Sequence, residues 1–362
     1  MQVHRAEELR SMHWPTEDLE FINQCPICGS VSRELMHDGL WDSSALAAPG
    51  QWSLWRCSSC RSAYLDPRPT TESIGRAYEA YYTHEEQPAG AAPAPTKFIR
   101  HLKSKLANGY RDSRFGTNSP HSSKIGAYLG AALPSLRRAS DFWYRYLPRS
   151  ARDNPKVLDV GCGGGQWLSS IADTRWEGFG SDPDARAIDL AASSGLNVRR
   201  GGIEVWNDME GNFDALTLSH VIEHVHDPRE LLLSASHLLR AGGQLYVETP
   251  NIDALGHSLF GRSWRGLEAP RHLVLFTRAS LTRLLRETGF THIRQQLAPS
   301  QFGFITNVSN ELQRIDPEYL GQDAKEPSMW MRLRSRYTRS RREFLTFTAI
   351  KPRSAPEVAY LP

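Results

Sequence analysis

Val157-Leu158-Asp159-Val160-Gly161-Cys162-Gly163-Gly164-Gly165-Gln166-Trp167 is the stretch from which the fold of this chain can be read. An apolar run gives way to a glycine cluster, and Trp167 to Ala172 follows with helical character. That order spells a buried parallel strand, a tight turn, and a helix whose N-terminus faces a ligand. Gly161, Gly163 and Gly165 let the backbone turn sharply and approach that ligand with no side chain in between. The spacing is G-x-G-x-G, whereas the dinucleotide fingerprint G-x-G-x-x-G asks for glycine at 166, where Gln166 stands. An ordinary Rossmann dehydrogenase is therefore the weaker reading.

Further elements arrive in a telling order. Trp176 to Ser181 reads as a second strand closed by Asp182. That acid lies about 20 residues past the glycines, where a carboxylate can take both hydroxyls of a ribose. Leu196 to Val198 is a short strand leading into Gly202 and Ile203. Phe213 to Leu218 is a clear strand, followed by Ser219-His220-Val221-Ile222-Glu223-His224. Arg229 to Arg240 is an amphipathic helix ended by Gly242-Gly243, and Gln244 to Glu248 is the next strand. Arg278 to Thr288 reads as a helix ended by Gly289; His292 to Leu297 and Glu343 to Ile350 read as two closing strands.

Taken jointly, LDVGCGGG, the GSD at 180–182, FDALTLSHVIEHVHDP and LLRAGGQLYVETPN resemble the class I S-adenosylmethionine-dependent methyltransferases of the ubiquinone type, from about Pro155 to Lys351. The resemblance implies an α/β fold, a Rossmann-like seven-stranded sheet ending in an antiparallel hairpin. It also implies a donor site: Asp159, Gly161, Cys162, Gly163 and Gly165 around the methionine part, Asp182 on the ribose, Gly202 and Ile203 at the adenine. Ser219 and His220 complete that set. Cys162 is expected as a small neutral filler, not a nucleophile.

His220 to His224 matches H-x-x-E-H, a spelling some zinc peptidases use, and on a helix residues 220, 223 and 224 would share a face. Its place at the end of a nucleotide-binding strand speaks against a peptidase. Ubiquinone-type O-methyltransferases carry E-x-x-E-H there, where the acids and the histidine can hold a divalent cation. Here His220 replaces the first acid, so capping and packing around the cofactor are expected of Glu223 and His224. The stretch Trp264 to Thr277 resembles segments that lie over the methyl donor in related enzymes. His220 and His272 are the candidate general bases, since histidine titrates near neutral pH. A loop histidine bonded to backbone is the plainer alternative for His272.

Upstream, Cys25-Pro26-Ile27-Cys28 and Cys57-Ser58-Ser59-Cys60 form a C-x2-C…C-x2-C array. Four thiolates in two tight turns suit a closed tetrahedral structural zinc site. The intervening loop can hold a β-hairpin with Trp52 to Arg56 as one strand, and it shows no other obvious core, so zinc is expected to supply much of its folding energy. A small zinc-ribbon-like β module thus covers residues 1–87. Thr71 to Tyr82 reads as a helix, and Gln87 to Pro95 as a linker. Residues 88–154 make a linker and basic helical segment, with helices at Phe98 to Leu106 and Lys124 to Arg138. The methyltransferase-like domain spans 155–353 with an insertion at about 298–342, a pocket or dimer element, and 354–362 is a tail.

The net charge of +3 hides an asymmetry. Residues 1–87 hold 7 basic and 13 acidic residues, 97–156 hold 13 and 3, and 325–353 hold 9 and 2. An acidic zinc module argues against phosphate contacts, so DNA is not expected and RNA only weakly. The basic segment, which ends in Asp141-Phe142-Trp143-Tyr144-Arg145-Tyr146-Leu147, could touch a membrane surface or an anionic substrate; covering one edge of the sheet is the plainer role. No apolar run approaches the ~18 residues of a membrane span, and a cytoplasmic protein is expected. The expected activity is methyl transfer, mainly to oxygen, onto a small-molecule or sugar (glycan) acceptor. The competing readings are a sugar C-methyltransferase, an RNA methyltransferase with the zinc module as reader, and a non-catalytic donor-binding scaffold.

Overall fold

The computed structural model describes residues 2–79, 97–119, 121–316, 318 and 325–353. Helix α1 (Gln2–Ser11) and strand β1 (Leu19–Glu20) precede the first cysteine pair. Between the two pairs, β2 (Arg33–Leu40) and β3 (Trp52–Cys57) form the expected hairpin; β4 (Ala63–Leu65) extends it, and β5 (Arg68–Pro69) pairs with β1. The loop, expected to show no obvious core besides its metal site, shares the core of the body. Trp14, Ile27, Leu54 and Tyr64 are buried in one continuous cluster with Leu216, Val247 and Phe276 of the body. The expected helix from Thr71 is, where described, a 3-10 stretch at Ile74–Tyr78. Its last residues, 80–82, the Gln87 to Pro95 linker and the 354–362 tail lie outside the described residues.

The basic segment forms α2 (Lys97–Phe115), α3 (Lys124–Ala132) and α4 (Pro134–Trp143). The single helix expected over Lys124 to Arg138 is broken at Leu133, which is extended because Pro134 disfavours a helical residue before it. Pro134 then opens α4, a position where its missing N–H costs nothing. Glycines let α2 and α3 touch: a Cβ on Gly109 would sit 1.9 Å from the Ser123 carbonyl oxygen. Tyr110, Phe115, Tyr144 and Leu147 bury against Val157, Ile171, Trp176 and Ala215, so the segment covers part of the sheet.

The body alternates strand and helix: β6 (Lys156–Val160), α5 (Gln166–Ser170), β7 (Glu177–Asp182), α6 (Ala185–Ser193), β8 (Asn197–Arg200) and β9 (Phe213–Ser219). It continues with α7 (Pro228–Leu238), β10 (Leu239–Pro250), α8 (Leu255–Phe260), β11 (Val274–Leu275), α9 (Arg278–Glu287) and β12 (Thr291–Gln295). Helices α10 (Phe302–Ile315) and α11 (Met329–Tyr337) then lead to β13 (Phe344–Ile350). Helix starts follow their caps: Asp227 before Pro228 at α7, and a Thr277–Ser280 capping box at α9.

The seven-stranded sheet runs β12-β13-β10-β9-β6-β7-β8, parallel except for β13, which is antiparallel to both β10 and β12. Apolar runs such as Phe213–Ser219, buried along nearly their whole length, are what a sheet covered on both faces requires. Connections leave β6 and β9 in opposite directions, so a crevice opens at their carboxyl ends. The small sheet is not self-contained: β11 pairs antiparallel with β4, giving the order β11-β4-β3-β2. Among the described residues, no helix is long and apolar enough to cross a membrane.

Candidate active site and cysteine cluster

The glycine turn sits in the crevice between β6 and α5. Gly161, Gly163 and Gly165 all have positive φ, at 72°, 53° and 78°. A Cβ on Gly161 would lie 2.6 Å from Val221 Cγ2 and one on Gly165 2.3 Å from Leu196 Cδ1, so both are needed for packing. A Cβ on Gly163 would meet nothing within 4 Å, which leaves that backbone open to a ligand. Asp182, at the end of β7, faces the turn: its carboxylate accepts from the Gly163 N–H at 2.9 Å and from the Asp184 N–H at 2.9 Å. Burial pushes its carboxyl upward against those two bonds. Ile203 is buried and Gly202 donates its N–H to Glu204, both just past β8. Cys162 is 7% exposed with its thiol pushed up to about 12 by burial, which fits a neutral filler.

Asp159 is 1% exposed, and its carboxyl is raised by burial. One oxygen is taken by Arg145 and by the Thr217 hydroxyl, the latter at 2.7 Å; the other, Oδ2, is buried with no hydrogen-bond partner. Arg145, named from the sequence only within a run that could touch a membrane surface or an anionic substrate, stands against Asp159 at the turn. Its guanidinium lies 4.1 Å from the centre of the Trp167 ring, and both it and Tyr146 hold positive φ. The cue was the aromatic and arginine run directly before β6.

His220 to His224 is a turn, not a helix. His220 has φ +56°, and its N–H donates to the Glu248 carbonyl at 2.9 Å, which ties the ends of β9 and β10 together. The ring is 42% exposed, stands edge-on to Phe344 at 4.9 Å, and has Nδ1 3.2 Å from Glu223 Oε1. Desolvation works against its cation, but Glu223, Glu248 and Glu268 outweigh it and raise the pKa. Ser219, the last residue of β9, pairs with Glu248.

His272 lies in the loop between α8 and β11 and is 4% exposed. Its Nδ1 bonds to the Gly266 carbonyl at 2.9 Å, and burial lowers its pKa to about 4. His224 bonds through Nδ1 to Tyr78 and to the Arg271 carbonyl, both at 3.0 Å, a reach from the N-terminal part that no local pattern announced. Glu223, His224 and His272 each bring one possible ligand atom within 4.8 Å of the others. A cation could be held there, with His272 in place of residue 220 as the third group.

The four cysteines converge. Cys25 and Cys60 sulfurs are 3.6 Å apart, as are those of Cys28 and Cys57, and all four lie within 4.8 Å of one another. A tetrahedron with Zn–S bonds of about 2.3 Å needs sulfurs about 3.8 Å apart, so the donor set fits zinc.

Residues 133–295 match a family model described as Methyltransferase domain; that span is under half of the chain. A ubiquinone biosynthesis O-methyltransferase from Chromobacterium violaceum is 33% identical over 111 residues, 29% of this chain and 48% of that protein. The enzyme of the same description from Nitrosospira multiformis is 26% identical over 189 residues, 48% of this chain and 78% of its own. The chain spans about half the length of the first curated relatives it matches. A SAM-dependent methyltransferase structure from Archaeoglobus fulgidus is similar at 18% identity and a TM-score of 0.41, covering 63% of this chain and 100% of that one, too distant to add weight. Residues 133–295 are thus similar to methyltransferase domains.

Proposed function

We propose that the chain is an S-adenosylmethionine-dependent methyltransferase that methylates an oxygen of a small-molecule or sugar acceptor. The observation that carries this reading is the open backbone at Gly163, whose N–H is bonded to the Asp182 carboxylate at the end of β7. The donor brings a methyl group already activated on a sulfonium, so no covalent enzyme intermediate is needed. The chain's part is to hold donor and acceptor in line and to keep water out. Asp182 would hold the ribose, and Gly202 and Ile203 the adenine. Gly161, Cys162, Gly163, Gly165 and Ser219 would line the rest. The unpartnered Asp159 Oδ2 and the Arg145 guanidinium offer opposite charges to the ammonium and carboxylate of the methionine part.

His220 is the better candidate base. It is exposed at the crevice, and with Nδ1 turned to Glu223 its Nε2 is left for a hydroxyl proton. His272 is buried and bonded to backbone, which supports a role in shaping its loop. Cys25, Cys28, Cys57 and Cys60 would hold a structural zinc with no position left for water. On this reading 1–87 is the zinc-bearing module, 88–154 the linker and basic helices, and 155–353 the catalytic domain with its 298–342 insertion. The relatives' description as O-methyltransferases supports oxygen as the acceptor atom.

The test is transfer of a labelled methyl group to panels of phenolic, sugar and lipid-linked hydroxyl compounds, with the product atom identified by NMR. Label on oxygen is expected. Label on carbon would favour the sugar C-methyltransferase reading, and donor binding without transfer to any compound would favour a scaffold.

A further inference from the structure

Helix α11 lies in the insertion, and none of the donor-site residues above is on it. Its residues Met329, Trp330, Leu333 and Tyr337 are 74%, 73%, 41% and 69% exposed. At about 100° per residue, these four fall within an arc of about 100°. The buried Ser335 lies on the opposite side, where the helix packs on α10. Arg336 and Arg334, both exposed, stand at the two borders of the apolar arc, and Arg332 and Arg339 lie beyond them.

We propose that this face of α11 docks on an anionic membrane surface. A helix with an apolar stripe rich in Trp, Met and Leu and flanked by arginines is suited to lie in the headgroup boundary, where the long arginine side chains reach the lipid phosphates. Charge decides the occupant. The 325–353 segment holds only Glu326 and Glu343 as acids; Glu343 is 2% exposed, and Glu326 is paired with Arg332. A second copy docked through the same face would set these arginines against their like, and a nucleic acid would leave four apolar side chains uncovered. Helix α3 adds a second exposed apolar stretch: Ile125, Tyr128 and Leu129 are 62%, 81% and 46% exposed, and Leu133 just after it 45%. The two basic blocks meet around Arg342, whose pKa is lowered chiefly by burial and further by Arg138 of α4 and Arg339. From α11 the chain runs through Arg339–Arg341 into β13, whose first residue, Phe344, touches His220.

The full chain is sedimented with phosphatidylcholine vesicles with and without phosphatidylglycerol. Binding to the anionic vesicles is expected, weakening with salt. Arg334→Glu and Arg336→Glu should each lower the partition coefficient at least about fivefold. Trp330→Ser should lower it as well, with unchanged melting temperature, since all three side chains are exposed. Absence of binding to anionic vesicles, or binding that none of the three variants weakens, would overturn the proposal. So would a dimer in sedimentation velocity that Trp330→Ser dissolves while no vesicle binding is seen.

Discussion

Arg271 and Asp42 form an ion pair in which neither side chain is exposed to solvent. Arg271 Nη1 donates to Asp42 Oδ2 at 2.9 Å, and its guanidinium also donates to the Ala77 carbonyl and the Ser44 hydroxyl. Asp42 accepts in addition from the N–H groups of Ala45, Ala47 and Ala48. The pair fastens the cysteine-bearing part to the loop that carries His272. Arg271 Nε also donates to Glu268 at 3.2 Å, so removing Asp42 leaves the buried guanidinium with one carboxylate of two, and Asp42→Ala should cost about 3 kcal/mol in denaturant unfolding. The double variant Asp42→Leu, Arg271→Met should cost less than Asp42→Ala alone. A loss below about 1 kcal/mol for the single variant would show that the pair is not what joins the two parts.

His220 and His272 should separate kinetically. His220→Ala is expected to lower kcat about 100- to 10,000-fold with donor affinity little changed. His272→Ala should act mainly through stability, because its ring is buried and bonded to the Gly266 carbonyl. Steady-state kinetics with thermal melts of both variants decides; a far larger kcat loss for His272→Ala at wild-type stability would reverse the roles.

Much of this was legible locally. The strands of the central sheet, the glycine turn, the Asp227-Pro228 helix start and the paired cysteines each announce themselves within a few residues, through periodicity or through residue types with one conformational use. What escaped lies between distant parts of the chain. Arg271 and Asp42 are 229 residues apart and Tyr78 and His224 are 146 apart, and nothing local to either end marks the match. The spacing of His220, Glu223 and His224 would suit one face of a helix, but their turn is set from elsewhere: the His220 N–H bonds to the Glu248 carbonyl of the neighbouring strand, and His220 holds a positive φ. The break at Leu133 was available in the sequence, since Pro134 dictates it.

Zinc content follows from the sulfur geometry. Elemental analysis of the purified chain should give one zinc per chain, and Cys28→Ser or Cys60→Ser should lower that content. Because β4 pairs with β11, chelation should also loosen the body, seen as a lower melting temperature. Full zinc content in both variants would place the metal elsewhere.

Glu343 carries a pH signature. It is 2% exposed, accepts from the Gly256 N–H and the Trp264 indole N–H, and burial raises its pKa to about 7. The unfolded chain ionises this carboxyl near pH 4.5, the folded chain only near 7. Its stabilisation is therefore whole below about pH 4.5 and is lost as pH rises to about 7, by about 3 kcal/mol. Glu343→Gln should remove that portion of the stability–pH slope, whatever it does to stability itself. An unchanged slope would mean that Glu343 is ionised in the folded protein.

The donor assignment is tested most directly by titration calorimetry of S-adenosylmethionine into the wild-type chain and into Asp182→Ala. One site per chain is predicted for the wild type. Asp182→Ala is predicted to bind about ten- to a hundredfold more weakly, the cost of losing charge-assisted hydrogen bonds to the ribose. Wild-type affinity in Asp182→Ala, or no heat from the wild type while a nicotinamide dinucleotide binds, would contradict the account.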